Sequence, residues 1–193
     1  MDIVIKSIIN IFTIIDGKIN LLVKSNGDLL SVECLDNLDI VCNKYIKDNI
    51  DIKDLNLKQV YTFSKKDKNF EITILYNDII NIDNIKINDK FKFIELNKLD
   101  INNIYISKSI DDLKQELVLI SNIKKIYPKE FVLPEIQRIY ENLLNKKYDR
   151  RNFRKKLIKL DIIEDLNKFS STKNGRPAKL YKFKDTKEDR ILF

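Results

Sequence analysis

The chain has 193 residues, of which 44% are hydrophobic and 34% charged, so it is large enough for one or two buried cores. It contains two cysteines, Cys34 and Cys42, and no histidine, which excludes the four ligands of a structural zinc site. No stretch reaches the roughly 18 uninterrupted apolar residues that a membrane span needs. Residues 1–13 lack the basic start and the cleavage site of a signal peptide. We therefore expect a cytoplasmic protein with reduced thiols, no metal and no membrane association.

The positive charge is concentrated in the last third of the chain. Residues 1–120 contain 16 lysines and arginines against 19 aspartates and glutamates, a net charge of −3. Residues 121–193 contain 20 against 10, a net charge of +10. A near-neutral body joined to a basic segment is typical of proteins that bind nucleic acid. A run of charge is also the usual solvated face of a globular protein, so this feature alone leaves both interpretations open.

The first hundred residues predict a mixed domain of strands and one helix. The β-branched and aromatic residues of Ile3–Ile15 are followed by the turn signal Asp16-Gly17 and by Ile19–Lys24, which indicates a hairpin. Apolar residues recur at helical spacing through residues 37–48. The other expected segments are strands at Val60–Phe63, Phe70–Ile80 and Lys90–Glu95, and a charged loop at Lys65–Asn69.

Helices are expected to follow the first hundred residues. A helix from Ile110, with Leu113, Leu117 and Ile120 on one face, should link the two halves of the chain. Pro134 suits the first turn of the next helix, because its ring fixes a helical φ angle. That helix has an apolar stripe of Leu133, Ile136, Ile139, Tyr140, Leu143 and Leu144.

The chain then predicts a third helix and a two-stranded wing. Asp149 is a good N-cap for a helix from Arg150 to about Leu160. Strands are expected at Ile162-Ile163 and at Ala178–Phe183, with the polar loop Asn167–Arg176 between them. This order of three helices and a wing predicts a winged helix-turn-helix.

The third helix would have one apolar and one basic face. Phe153, Leu157 and Leu160, at spacings of four and three, would point to the core. A helix this basic, following another helix after a short turn, suits the major groove of DNA. Arginine can hold guanine and asparagine adenine, whereas lysine mostly neutralises phosphates. The candidate contacts to base edges or phosphates are Arg150, Arg151, Asn152, Arg154, Lys155 and Lys159.

The predicted wing provides a second basic element. The loop Ser170–Pro177 is polar and basic, and Gly175 allows a close approach of the backbone to a ligand. Such a loop can follow the phosphates or place an arginine in the minor groove. We therefore add Lys173 and Arg176 to the candidate DNA contacts.

The chain resembles the Nudix-related transcriptional regulators in three ordered segments. They are Phe131–Leu144, Tyr148–Leu157 and Gly175–Phe183, and the likeness spans roughly residues 104–183. The resemblance implies that the helix after Asp149 enters DNA and that the Gly-Arg-Pro-Ala stretch ends the wing. Gln59–Ser64 resembles the family's strand after the Nudix helix more faintly.

The resemblance also locates a degenerate Nudix box in Asn43–Asp48. The box needs glutamates on one helical face, because carboxylates hold the divalent metals that polarise a diphosphate. Lys44 and Lys47 stand where the family pattern has glutamate, and Leu30–Cys34 replaces the glycine-rich turn. We therefore expect no catalytic residue, no metal and no cofactor, and hence no enzyme activity.

The resulting hypothesis is an α+β protein with two domains. Residues 1–105 would form a small degenerate Nudix-like mixed α/β domain, and residues 106–193 a linker helix and a C-terminal winged helix-turn-helix. The protein would be a transcriptional regulator that binds a palindromic operator in double-stranded DNA as a homodimer, and we expect it to be a repressor. The first domain would serve dimerisation or bind an effector such as an ADP-ribose-like nucleotide or a sugar. The alternatives are a weak Nudix-type nucleotide hydrolase and a winged-helix adaptor that contacts protein.

Overall fold

The computed structural model describes residues 3–34, 36–67, 69–127, 130–170 and 177–184. The helices are α1 Leu38–Asn49, α2 Ile104–Leu117, α3 Ile120–Ile126, α4 Leu133–Leu144 and α5 Arg150–Lys159. The strands of the first half are β1 Ile3–Ile15, β2 Lys18–Lys24, β3 Leu30–Glu33, β4 Asp51–Ile52, β5 Lys58–Lys66, β6 Phe70–Ile80, β7 Ile85–Lys86 and β8 Phe91–Glu95. Those of the second half are β9 Phe131–Val132, β10 Ile163–Phe169 and β11 Lys179–Phe183. Among the described residues, the helices are too short or too polar to cross a membrane.

The first half is built on a six-stranded mixed sheet. Its order is β5-β6-β1-β2-β8, with β3 also paired to β1. Strand β1 runs parallel to β6 from Ile3 to Thr13 and antiparallel to β2 across the hairpin. The hairpin turn has positive φ at Asp16 (50°) and at Gly17 (72°), the geometry that a two-residue Asp-Gly turn favours. The predicted hairpin and the strand predicted at 70–80 are confirmed.

Both faces of the sheet are covered, so β1 is buried from Ser7 to Ile14. On one face, Cys42 and Ile46 of α1 pack against Ile9 and Ile11. The other face packs against α2. Apolar residues of β1 therefore do not alternate with exposed ones, and the polar side chains within the strand need partners. Asn10 donates a hydrogen bond to the Ser109 hydroxyl (2.7 Å), which ties the strand to α2.

The winged helix shares its core with this sheet. One continuous apolar cluster contains Phe12 and Leu21 of the sheet together with Ile136 and Ile139 of α4 and Leu157 of α5. Each fully buried aliphatic side chain stabilises the fold by about 1.5–3 kcal/mol. The orientation of the winged helix relative to the sheet is therefore fixed by side-chain packing, rather than left to a flexible linker.

The second half has the predicted winged-helix order. Helices α4 and α5 are followed by the antiparallel strands β10 and β11, and β9 completes a three-stranded sheet. Pro134 lies in the first turn of α4, as predicted. Leu133, Ile136, Ile139, Tyr140 and Leu143 are buried, and Leu144 packs partly buried against the same core.

The predicted linker helix is wrong in its bounds and in one of its members. It begins at Ile104, six residues before the expected start, because Asn103 caps it by accepting hydrogen bonds from the backbone of Tyr105 and Ile106. It ends at Leu117, and Ile120 opens the separate helix α3. Leu119 has extended backbone angles (φ −83°, ψ 128°), which breaks the run. Ile120 therefore belongs to α3 and not to the linker helix.

Two predicted loops are shorter than expected because their strands extend further. Lys65 and Lys66 belong to β5 and pair with Glu71 and Phe70 of β6. Residues 167–169 belong to β10, which continues to Phe169.

The segment expected to replace a glycine-rich turn is largely strand β3, paired with β1. The tip of the wing, residues 171–176, lies outside the described residues, and with it the candidates Lys173 and Arg176.

Candidate nucleic-acid interface

Helix α5 is fixed at its start by a side-chain cap and along its inner face by the core. The carboxylate of Asp149 accepts a hydrogen bond from the backbone N–H of Asn152 (3.0 Å), so the predicted N-cap is confirmed. Phe153 and Leu157 are buried, and Leu160 packs partly buried against the same cluster. These contacts hold the opposite face of the helix towards solvent.

A carboxylate in α4 holds the turn that leads into α5. Glu141 accepts hydrogen bonds from the backbone N–H of Tyr148 (2.9 Å) and from the Gln137 side chain (2.8 Å). The hydrogen bond from Gln137 and that from the Tyr148 backbone lower the pKa of Glu141. Gln137 also donates to the carbonyl oxygen of Tyr148 (2.8 Å). The helix-turn-helix angle is thus set by hydrogen bonds to both backbone groups of one turn residue.

All six predicted contact residues on this helix are exposed. Helix α5 contains three arginines and three lysines and no acidic residue. In the part of the chain that the structure describes, the salt bridges involve other lysines and none of Arg150, Arg151, Arg154, Lys155 and Lys159. Sequence reasoning passed over Lys156, which is also exposed. The residues brought together on this surface are Arg150, Arg151, Asn152, Arg154, Lys155 and Lys159.

The strands of the wing carry lysines that are already paired with carboxylates. Lys179 contacts Asp165 at 2.8 Å, and Lys182 contacts Glu164 at 3.1 Å. The hydrogen bond between Lys179 and Asp165 raises the pKa of the lysine and lowers that of the carboxylate. These lysines offer less free positive charge than α5 does.

The position of the degenerate Nudix box lies on α1. Lys44, Lys47 and Asp48 are exposed on this helix. Two lysines beside one carboxylate repel a divalent cation, so the donor set does not fit the metal of Nudix chemistry. Among residues 3–34, 36–67, 69–127, 130–170 and 177–184, no group of three or more Cys, Asp and Glu residues could hold a metal ion.

A polar cavity of about 400 Å³ lies where the sheet meets α2 and α3. Lys58 of β5 bridges two carboxylates of α2, Asp112 (3.0 Å) and Glu116 (2.9 Å). Asn77 of β6 donates a second hydrogen bond to Asp112 (3.0 Å). The residues that line the cavity are Asp54, Asn56, Lys58, Asn77, Asp78, Ile79, Ile80, Asn81, Asn84, Glu116, Asn122 and Ile126.

One wall of this cavity is a half-buried carboxylate, Asp78, that the sequence analysis did not single out. Burial raises the pKa of Asp78 to about 6, although its carboxylate accepts a hydrogen bond from the backbone N–H of Asn56 (2.7 Å). The signal available in the sequence was a polar pair, Asn77-Asp78, inside an otherwise apolar strand. An ionisable group with a shifted pKa in a cavity is a common mark of a ligand site.

The sequence of this chain is similar to those of known DNA-binding regulators. Residues 125–183 match the family described as the NrtR DNA-binding winged helix domain. A curated relative, the ADPR responsive transcriptional repressor NtrR of Acinetobacter baylyi, is 26% identical over 175 residues, which cover 81% of this chain and 68% of that protein.

Solved structures with the same fold cover both halves of the chain. The crystal structure of Shewanella oneidensis NrtR complexed with a 27mer DNA has a TM-score of 0.67 at 18% identity, covering 93% of each chain. A MutT/nudix family protein from Enterococcus faecalis has a TM-score of 0.64 at 15% identity, covering 95% of this chain and 87% of that one. Likenesses at these identities establish the fold.

The fold defines a protein with a Nudix-like domain joined to a winged helix. The match of residues 125–183 to the NrtR DNA-binding winged helix family confirms the resemblance to the Nudix-related transcriptional regulators.

Proposed function

We propose that the protein is a transcriptional repressor that binds a palindromic operator as a homodimer and responds to a small effector. The observation that carries the proposal is α5, a helix with six cationic side chains, exposed on one side and held by Phe153 and Leu157 on the other. Cations at this density attract phosphates, and a helix so mounted fits a major groove. Two-fold symmetry would present two such helices to successive major grooves.

The DNA contacts are proposed from exposure and position. Arg151, Asn152 and Arg154 lie in the first half of α5, the end that most often reaches base edges in helix-turn-helix proteins. Lys155 and Lys159 lie further along the helix and suit phosphates, as does Arg150 at its first residue. Lys173 and Arg176, which the sequence predicts to lie in the wing, would contact the adjacent phosphates or the minor groove.

The domain division is part of the proposal. We assign residues 1–105 to an effector-binding or dimerisation domain and residues 106–193 to the linker and winged helix. The division is supported by the change from sheet to helices at Ile104. The core shared between Leu21 and Ile139 means that the two domains would move as coupled bodies.

The effector is proposed to act through the cavity between the sheet, α2 and α3. A ligand there would touch Asn77 of the sheet and Glu116 of α2 at once. It would therefore bias the position of α2, against which α4 packs. ADP-ribose is the first ligand to test, because one relative is named as ADPR responsive. The amide and carboxylate lining also suits the hydroxyl groups of a sugar.

We further propose that the Nudix-like domain is not an enzyme. Lys44 and Lys47 occupy the helical face where metal-binding carboxylates would be needed, and both are exposed there. Incubation with ADP-ribose and Mg²⁺ should release no AMP. Metal-dependent release of AMP by the wild-type protein would support the alternative hypothesis of a weak hydrolase.

The decisive test of DNA binding starts from sheared DNA of the source genome. The purified protein is incubated with the fragments, and the retained DNA is sequenced. Enrichment of a few sites that share a palindrome is expected. Arg154→Ala should weaken binding to such a site and leave the oligomeric state unchanged, whereas Lys44→Ala, an exposed helical lysine of the other domain, should leave affinity unchanged.

Three outcomes would contradict the proposal or its assignment of α5. Uniform recovery of all fragments would mean that the basic domain attracts phosphates without reading sequence. Salt-insensitive capture of a protein partner, with no shift of DNA, would support the adaptor hypothesis instead. Unchanged operator affinity in the Arg154→Ala variant would remove α5 from its assigned role.

A further inference from the structure

One exposed side chain on α5 is apolar. Ile158 is 52% exposed to solvent, in a helix whose other exposed residues are Arg, Lys or Asn. The two remaining apolar residues of the helix, Phe153 and Leu157, are buried. Ile158 thus contributes nothing to the core that its neighbours fill.

The position of Ile158 on the helix places it among the cations that face DNA. Arg151, Lys155 and Ile158 follow one another at spacings of four and three, so they form one stripe along the helix. The stripe lies opposite Phe153 and Leu157, which are buried in the core. The C-terminal half of the surface proposed to enter the major groove therefore contains one branched apolar side chain, between Lys155 and Lys159.

The major groove presents one apolar feature, the C5-methyl group of thymine. An aliphatic side chain that enters the groove gains free energy only where it covers such a methyl group, since the other base edges present polar atoms. The lysines and arginines around Ile158 would hold the helix close to the DNA backbone by pairing with phosphates.

We infer that Ile158 contacts a thymine methyl group and so specifies an A·T pair in each half of the operator. The inference rests on the proposed function, because it requires α5 in the major groove. It adds a residue that reads sequence to a surface whose other members are charged or amide side chains.

The test replaces single methyl groups of the DNA. Once the operator is known from the genomic selection, each symmetric pair of thymines is replaced by deoxyuridine, which removes only the C5-methyl group. At one of these symmetric pairs of thymines, the replacement should weaken binding of the wild-type protein about fourfold for each methyl group lost. The loss is then about 16-fold for the two half-sites together. Ile158→Ala should bind the unmodified operator with a similar loss and lose little more on the uridine operator.

A matched control is available in the other domain. Ile40 lies on α1 and is 63% exposed, so Ile40→Ala makes the same chemical change on an exposed helical surface away from α5. It should retain the full sensitivity to uridine. Circular dichroism and the melting temperature would show that both variants remain folded.

The outcomes separate this inference from the proposed function. A specific operator at which no thymine methyl group matters, or at which Ile158→Ala keeps the full uridine effect, would overturn the inference alone. Recovery of DNA without any shared site would overturn both.

Discussion

The Tyr140 hydroxyl donates a hydrogen bond of 2.8 Å to the carbonyl oxygen of Leu117, the last residue of α2. Tyr140 belongs to α4, so this bond joins the first helix of the helix-turn-helix to the helix that covers the sheet. The tyrosine side chain is almost wholly buried, and burial raises its pKa. The bond satisfies a carbonyl that the end of α2 would otherwise leave without an intrahelical partner. The Tyr140 ring also lies against Phe153 of α5, with the ring centroids 6.4 Å apart.

Replacing Tyr140 by Phe is expected to destabilise the protein by about 1–3 kcal/mol, because a buried carbonyl loses its donor while the packing of the ring is kept. Urea unfolding at neutral pH measures the change. The matched control is Tyr61→Phe, since Tyr61 is 46% exposed. Equal stabilities of the two variants would contradict a role for the Tyr140 hydroxyl at the junction.

The half-buried carboxylate of Asp78 should make the stability of the protein depend on pH. Burial raises its pKa from 3.8 to about 6, so the folded state holds the proton more tightly than the unfolded state. The stabilisation from this group is fully present below pH about 4 and is lost as the pH rises through about 6. Asp78→Asn, which stays neutral, should therefore gain about 1–2 kcal/mol over the wild type at pH 7.5 and little at pH 4.5.

The measurement is chemical denaturation of the wild type and the variant at several pH values. Asp89→Asn is the control, because it replaces an exposed aspartate in the same domain. A difference between Asp78→Asn and wild type that stays constant from pH 4.5 to 7.5 would show that the Asp78 carboxylate does not titrate as its burial requires.

The N-cap of α5 should matter for DNA binding as well as for stability. Asp149→Ala removes the acceptor for the Asn152 backbone and is expected to cost about 1 kcal/mol. Because the first turn of α5 carries Arg150 and Arg151, fraying there should also lower operator affinity severalfold. Asn37→Ala removes the equivalent cap of α1, which accepts from Asp39 and Ile40. It should reduce stability to a similar extent and leave operator affinity intact; a parallel loss of affinity would attribute both effects to global stability.

Local chemistry explains which parts of the fold the sequence could predict. The Asp16-Gly17 turn, the strand 70–80 and the Asp149 cap each depend on residues that adjoin in the chain, and all three are confirmed. The end of α2 could not be predicted, because Val118 and Leu119 continue the apolar pattern and no glycine or proline marks the break.

The parts that could not be predicted are assembled from distant segments. The cavity joins Asn56, Asp78 and Glu116, and periodicity does not show that three such residues converge. The clamp of Glu141 on Tyr148 spans seven residues across a turn whose geometry only the core fixes. Periodicity did place the exposed cations of α5, because the burial of Phe153 and Leu157 leaves the other positions of a helix open to solvent.

The salt dependence of operator binding should separate the cations of α5 from those of the wing. Each phosphate contact releases counterions, so the logarithm of the binding constant falls linearly with the logarithm of the salt concentration. The magnitude of this negative slope should decrease by about 0.9 for each contact to B-DNA that is removed. Lys155→Ala would lose one contact per protomer, hence about 1.8 for the dimer. Lys182→Ala should change the slope little, because Lys182 is already paired with Glu164 at 3.1 Å. Equal changes for the two variants would mean that the wing strands contribute to phosphate binding as much as α5 does.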